Sequence, residues 1–189
     1  MGVAERKGRE RAGRERRITA AARLIAAREG WSAVTIRRLA EEIEYSQPVL
    51  YSHFENREAI VAAVAVEGFG ELARALQQAA HESSDRRNTL RNVAMAYLAF
   101  ASEHPALYEA MFTMPTGLRF AEADTKPELK DAFAALTAVL TPSSSDVEVA
   151  AETFWGALHG LAELERSGRI RHSARDERVA LVVHGLLDR

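Results

Sequence analysis

Between Thr35 and Ile60 the chain has to turn twice within a short span, and that leaves room for little except short helices. The stretch reads TIRRLAEEIEYSQPVLYSHFENREAI. Ile36, Leu39, Ala40 and Ile43 recur at the spacing of one helix face, and Thr35 stands where a capping hydroxyl belongs. Glu44-Tyr45 breaks this first helix. Ser46 is placed to cap a second, with Pro48 in the first turn, where a missing N–H costs nothing because those donors have no partner within the helix. Val49, Leu50 and Phe54 can anchor the second helix on the first. Asn56 is placed to cap a third, which runs on through Ile60, Ala63 and Val64. Two helices joined by a turn of about three or four residues, the second opening on small or polar side chains, form the geometry that lays a helix into the DNA major groove.

The residues that carry this pattern are Thr35-Ile36-Arg37-Arg38-Leu39-Ala40-Glu41, Ser46, Leu50-Tyr51-Ser52-His53-Phe54 and Arg57-Glu58-Ala59-Ile60. Together they resemble the helix-turn-helix signature of TetR-family transcriptional repressors, nearly unbroken from Ile18 to Ile60. The chain departs from the family's pattern in the turn, with Glu44 where Gly is usual. A side chain at positive φ carries a steric cost there. Further on, Phe154-Trp155-Gly156-Ala157-Leu158-His159-Gly160 resembles the Trp–His–Gly signature of one class of TetR-family C-terminal domains.

Charge is distributed as a nucleic-acid partner would require. The chain of 189 residues has a net charge of −2, but residues 1–57 hold 12 basic against 8 acidic side chains, and residues 58–189 hold 13 against 19. The first part is therefore basic and the second acidic. The absence of cysteine removes disulfides and thiolate metal sites, which suits a reducing compartment. The basic start lacks the apolar block of a secretory signal, and the longest apolar run, Val93–Ala101, is far too short for a membrane span. The expectation is a cytoplasmic protein with no membrane association.

Residues 1–16 are rich in Arg, Gly and Glu and have no apolar face, so they are expected to form a flexible basic arm able to track DNA phosphates or enter a minor groove. Alternatively, the interspersed Glu5, Glu10 and Glu15 make it a solvated tail. A helix follows over Arg17–Glu29, with Ile18, Ala21, Ala22 and Ile25 inward, Gly30 at its end and Trp31 packed beyond it. Helical spacing then predicts Asn56-capped Arg57 to Ala80, with Gly68 and Gly70 allowing a bend, followed by Arg86–Glu103 capped by Asp85 or Ser84. It also predicts Pro105–Phe112, Glu128–Leu140 closed by Thr141–Ser145, Asp146–Ser167 and Arg175–Leu187. No segment alternates with period two, so the fold class is all-α, with about nine helices. Three parts are expected: the arm at 1–16, the helix-turn-helix domain at 17–56, and an effector-binding and dimerisation domain at 57–189.

In the second helix of the motif, the Gln47 amide can read a base edge, and Pro48 or Val49 can pack on a thymine methyl. Ser52 shares that helix. Thr35, at a helix N-terminus, and Arg57, in the first turn of the third helix, are placed to hold phosphate oxygens. The resemblance implies that Tyr51 and His53 reach phosphates too, although the Tyr51 ring could instead be tucked into the core. Arg37 and Ser46, within the matched motif, complete the expected DNA-binding set. Downstream, Met95, Tyr97, Tyr108, Met111, Phe112, Phe154, Trp155 and His159 are soft or aromatic residues that either form ordinary core or line a small-molecule pocket with His159 as its polar tip. Trp155 and His159 are one turn apart and share a helix face.

Enzyme chemistry finds no foothold. There is no Gly-rich phosphate loop with its Lys, no Gly-x-Ser-x-Gly and no His pair at metal spacing, so no catalytic residue, metal or cofactor is expected. The penultimate helix carries two apolar stripes. Val147, Ala150, Phe154, Leu158 and Leu161 make one; Val149, Thr153, Gly156, Ala157, Gly160 and Leu164 make the other. One can face the subunit's own core, and the other then needs a partner helix. The resemblance implies a homodimeric regulator of double-stranded operator DNA, released by a small-molecule effector; a lining of Met95, Phe112, Phe154, Trp155 and His159 would suit an apolar or aromatic one. The alternatives are an effector-independent DNA-binding protein and an α-helical enzyme or ligand carrier.

Overall fold

A computed structural model describes residues 2–120, 122–140 and 147–187. Among them lie nine α-helices and no strands: α1 (Val3–Glu29), α2 (Ile36–Glu42), α3 (Gln47–Tyr51), α4 (Arg57–His81), α5 (Arg86–Glu103), α6 (Pro105–Phe112), α7 (Pro127–Thr137), α8 (Val147–Arg166) and α9 (Arg175–Leu187). Two 3-10 turns, Trp31–Ala33 and His172–Ala174, follow α1 and precede α9. The chain packs as two units, Met1–Gly68 with Ala106–Leu118, and Phe69–Pro105 with Arg119–Arg189. Neither boundary falls at residue 56, because α4 runs without a break from one unit into the other.

In the first unit α1 buries Ile18, Ala22 and Ile25 against Val34, Leu39, Leu50 and Ile60, all of them at most 1% exposed. Gly30 ends α1 at φ +81°, a conformation that favours glycine, while its N–H still reaches the Ala26 carbonyl at 2.9 Å. Trp31 is buried, and its indole N–H donates to the Ala106 carbonyl at 2.7 Å. Gly68 is required by close approach. A β-carbon there would lie 2.7 Å from Met111 Sδ and 2.8 Å from Leu107 Cδ1, so α6 lies tight on α4 at this point.

The stretch expected to be an unstructured arm is helical instead, since α1 begins at Val3. Without an apolar face to bury, this extension is supported locally. The Gly2 N–H donates to Glu5 Oε2, and Arg6–Glu10 and Arg11–Glu15 pair one turn apart at 3.7 and 2.9 Å. The glutamates that suggested a solvated tail are thus the helix's own pairing partners. Two capping expectations hold in detail: the Thr35 hydroxyl accepts from the Arg38 N–H at 3.1 Å, and Asn56 Oδ1 accepts from the Ala59 N–H at 2.8 Å. Ser46 occupies the cap position of α3 in an extended conformation but makes no side-chain cap bond.

Glu44 does take the conformation its position demands, at φ +55°. The Tyr45 N–H reaches back to the Ala40 carbonyl at 3.0 Å, closing α2 in the manner of a helix that ends on a left-handed residue. Tyr45 is also pinned to α1, because Arg17 Nη1 donates to its hydroxyl at 2.9 Å and the guanidinium sits 5.0 Å above its ring. These contacts hold the strained residue in place. Replacing Glu44 by Gly should therefore stabilise the protein by about 0.5–1 kcal/mol, read as a rise in the denaturation midpoint at unchanged m-value.

In the second unit α5 packs on α8 and α9, α7 packs on α8, and α8 packs on α9. Asp85 caps α5 by accepting from the Asn88 N–H at 2.9 Å. Leu90, Val93, Tyr97 and Leu98 of α5 meet Phe154 and Leu158 of α8 and Val179 and Val183 of α9, all at most 1% exposed. Helix α7 runs over Pro127–Thr137, shorter than Glu128–Leu140 at its C-terminal end, where Ala138 already takes the cap position. The expected closing segment Thr141–Ser145 and the expected start at Asp146 lie outside the described residues. No helix among the described residues is long and apolar enough to cross a membrane.

Candidate functional site

Helix α3 is short, and its position is fixed by one residue. Leu50 is fully buried, which turns Gln47, Pro48, Tyr51 and Ser52 outward and leaves Val49 half-buried beside them. Four exposed residues at i, i+1, i+4 and i+5 make a single presented face. Tyr51 is 54% exposed, so its ring belongs to that face and not to the core. The Ser52 hydroxyl donates to the Val49 carbonyl at 2.7 Å, and the exposed Ser46 hydroxyl is not engaged by the helix it precedes. Thr35 is exposed at the start of α2; its oxygen accepts from Arg38, so its proton remains available to an incoming acceptor. Arg37, one residue on, is exposed and paired with Glu41 at 2.9 Å, and that hydrogen bond together with the carboxylate's charge raises its pKa further.

Two residues expected on phosphates are engaged elsewhere. Arg57 Nε donates to the Val34 carbonyl at 2.7 Å and its Nη2 to the Trp31 carbonyl at 2.6 Å, with Nη1 3.7 Å from Glu58. Its fork spans the end of the Trp31–Ala33 turn, as second donor to the Trp31 carbonyl, which also accepts the Val34 N–H at 3.2 Å, and as side-chain donor to the Val34 carbonyl. The His53 side chain is 5% exposed, with Nδ1 3.4 Å from Glu15 Oε1 of α1. It links the end of α3 to the helical extension. The sequence placed both residues next to the recognition face but could not tell which direction each side chain takes.

Other residues of this unit were not foreseen. Arg17 and Tyr45 hold the α2–α3 turn, as described above. Thr19 is buried, with its hydroxyl 2.8 Å from Glu67 Oε1 on α4. A lone Thr among alanines carries no signal that it bridges to a carboxylate nearly fifty positions away.

The expected effector-lining residues divide between the two units. In the first, Tyr108 and Met111 are buried and Phe112 is half-buried, its ring 4.6 Å from that of Tyr108. In the second, Tyr97 and Phe154 are fully buried, whereas Met95, Trp155 and His159 are half-buried. The Trp155 indole N–H donates to the Tyr97 hydroxyl at 3.1 Å. Phe120, absent from the expected set, is 41% exposed and stands 6.1 Å from Trp155 and 5.5 Å from Phe69 by ring centroid. Phe120 lies in a segment without periodicity, which is why helical spacing could not recruit it. Burial lowers the His159 pKa below the ordinary imidazole value, the Glu163 carboxylate opposes that, and Arg166 adds to it. The folded state therefore favours neutral His159, and its contribution is present above the ordinary imidazole pKa and lost as pH falls through the lower, folded value. On acidification from about pH 7 to 5, wild type should lose more thermal stability than His159→Gln. Equal losses in parallel melts would exclude His159 as the cause.

The last two helices expose apolar side chains on one side. Phe154, Leu158, Ala151 and Ala162 of α8 are buried, whereas Val149 is 50% and Leu164 39% exposed on the opposite side. Between them a β-carbon at Gly156 or Gly160 would meet nothing within 4 Å. On α9, Leu181 is 71% exposed. The expected α9 set of Val179, Val182, Val183, Leu186 and Leu187 thus mixes core residues with half-buried ones and omits the most exposed apolar side chain.

Comparison with known proteins bears on the family and the fold. Residues 18–64 match the model of the bacterial regulatory proteins of the tetR family, and residues 90–186 match the tetracyclin repressor-like C-terminal domain. That second description is broader than the Trp–His–Gly class suggested by residues 155–160. The chain is 32% identical over 144 residues to an uncharacterized HTH-type transcriptional regulator of Mycobacterium tuberculosis, a match covering 75% of this chain and 65% of that protein. It spans about half to two thirds of the length of the curated relatives it matches. Among solved structures, a protein of unknown function from Rhodococcus sp. RHA1 shares 25% identity at a TM-score of 0.74, over 92% of this chain and 93% of that one. RolR, solved in complex with resorcinol, shares the fold at 20% identity and a TM-score of 0.67, over 94% of this chain and 89% of that one. With one family model spanning the recognition helices and another more than half of the chain, this protein belongs to the TetR family of bacterial regulatory proteins.

Proposed function

We propose that the protein is a cytoplasmic, homodimeric transcriptional regulator that binds operator DNA through α3 and is released by a small-molecule effector. The observation that carries this reading is the outward face of α3, with Gln47, Pro48, Tyr51 and Ser52 exposed above a fully buried Leu50. Gln47 and the Pro48–Val49 pair read base edges; Thr35, Arg37, Ser46 and Tyr51 take phosphates. Lys7, Arg9, Arg14 and Arg16, exposed on the helical extension, add sequence-independent contacts. Arg57 and His53 serve by holding the motif's shape. The functional division follows: residues 1–16 assist DNA binding, 17–56 carry recognition, and 57–189 carry effector binding and dimerisation. No catalytic role is assigned.

The effector is apolar or aromatic with one hydrogen-bonding group. This is supported by the Phe69–Phe120–Trp155 aromatic group, the Tyr97 hydroxyl and the half-buried His159, and a neighbour of the same fold holds resorcinol. Release is a population shift: the effector binds better to the dimer whose two recognition helices no longer fit the half-site spacing.

The test is Gln47→Ala on operator and on scrambled DNA. The variant should lose about 1–3 kcal/mol on the operator at one base position and nothing on scrambled sequence. Wild-type affinity for both would remove Gln47 from base reading.

A further inference from the structure

The second unit contains a cavity of about 250 Å3 that the regulator reading does not use. It lies among the ends of α5 and α8, the His172–Ala174 turn and the start of α9. Its walls are half apolar, from Leu98, Ala101, Pro105 and Ala162, and half polar, from Ser102, Glu165, Arg166, His172 and Arg175.

The polar half is short of acceptors. Glu165 is only 7% exposed and serves as the sole carboxylate for two arginines. Arg175 Nε and Nη2 both donate to its Oε2, at 2.9 and 2.6 Å, and Arg178 Nη2 donates to its Oε1 at 2.6 Å. Burial pushes the Glu165 carboxyl up, but the hydrogen bonds and charges of the two arginines together outweigh it and hold the group below its ordinary value. Glu165 is therefore ionised and fully engaged. Arg175, whose side chain is 12% exposed, has no acceptor for Nη1. Behind the cavity wall, Arg178 also donates Nη2 to the Arg171 carbonyl at 2.9 Å, and its buried Nε has no partner among the described residues. Arg166 pairs with Glu163 at 2.8 Å, and Arg175 and Arg178 share Glu165. Two guanidinium groups thus share one carboxylate, and His172 Nδ1 stands 3.5 Å from Glu165 Oε2. Two largely buried guanidinium groups on a single carboxylate are incompletely balanced, and an anion beside Arg175 at the cavity offsets that cost.

We propose that this cavity binds a small amphipathic monoanion, a carboxylate on a short aliphatic body. The carboxylate meets Arg175 and the apolar body lies on Leu98, Ala101, Pro105 and Ala162. The volume corresponds to about eight groups of water size, which sets the length of the body at a few carbons beyond the carboxylate. Occupancy ties the end of α8, the connector and the start of α9 together, in the helix pair that also carries the exposed apolar face. The site is separate from the Trp155 aromatic group and its test does not involve DNA.

Calorimetric titration of the full chain at pH 7 and constant ionic strength, with hexanoate, hexylamine and inorganic phosphate as probes, reads the proposal directly. Hexanoate should bind saturably, one per chain, with hexylamine silent and phosphate at least about tenfold weaker. Arg175→Gln should weaken hexanoate by about tenfold or more, since it removes a charge-assisted partner. Should Arg175→Gln fail to fold by circular dichroism, Ser102→Phe decides: it fills the cavity from an exposed helical position whose hydroxyl bonds only the nearby Ala99 carbonyl, and it should abolish binding. Absence of hexanoate binding, equal binding of hexylamine, or unchanged hexanoate affinity in Ser102→Phe would overturn the proposal. Phosphate binding as tightly as hexanoate would overturn the amphipathic class.

Discussion

Gly160→Leu should yield a folded monomer that has lost operator binding. The structure gives the reason for the first, and the proposed interface the reason for the second. A β-carbon at Gly160 meets nothing within 4 Å in its own chain, so leucine is accommodated there, and removing a glycine from the interior of α8 favours the helix by about 0.5–1 kcal/mol. The same position lies on the stripe of Val149, Thr153, Gly156 and Leu164, which are exposed. If that stripe, with Leu181 of α9, meets its copy about a two-fold axis, the two glycines set how closely the helices approach, and a leucine forces them apart. A monomer engages one half-site where the dimer engages two, so operator affinity should fall by about a hundredfold or more. Sedimentation velocity and an operator titration of the same preparation check both halves. A Gly160→Leu protein that still sediments as a dimer would place the interface on another surface.

Arg57→Ala should cost about 2–4 kcal/mol of stability, from loss of two charge-assisted hydrogen bonds to buried-end carbonyls. The Val34 carbonyl would lose its Arg57 donor, the Trp31 carbonyl would keep only the Val34 N–H at 3.2 Å, and α4 would lose these two bonds to the segment between α1 and α2. Arg57→Lys should rescue little, because an ammonium cannot span two acceptors in a fixed fork. DNA affinity should drop on every sequence alike, which a phosphate contact would also produce. The denaturation midpoint separates the two: a phosphate-binding arginine would leave it unchanged, and a structural one lowers it.

The helical framework was legible because each of its signals is local. One-face spacing, Thr35, Asn56 and Asp85 as caps, and Gly30 as a terminator all act within a few residues, so α2 through α6, α8 and α9 could be placed from the sequence to within a residue or two. The exposed second stripe of α8 was legible for the same reason, since a helix apolar on two sides buries only one against its own chain. The helical course of residues 3–16 was less so, because it rests on paired charges and a continuous helix downstream rather than on an apolar face. What only the tertiary structure decided is where long polar side chains end. Arg57 turns to carbonyls twenty-odd positions away, His53 to Glu15, Thr19 to Glu67, and Glu165 gathers arginines from the next helix. Such side chains have several rotamers of similar energy, and the choice among them is made by acceptors that other segments bring within reach. Sequence periodicity fixes which face a residue occupies; the three-dimensional arrangement of donors and acceptors fixes what it does there.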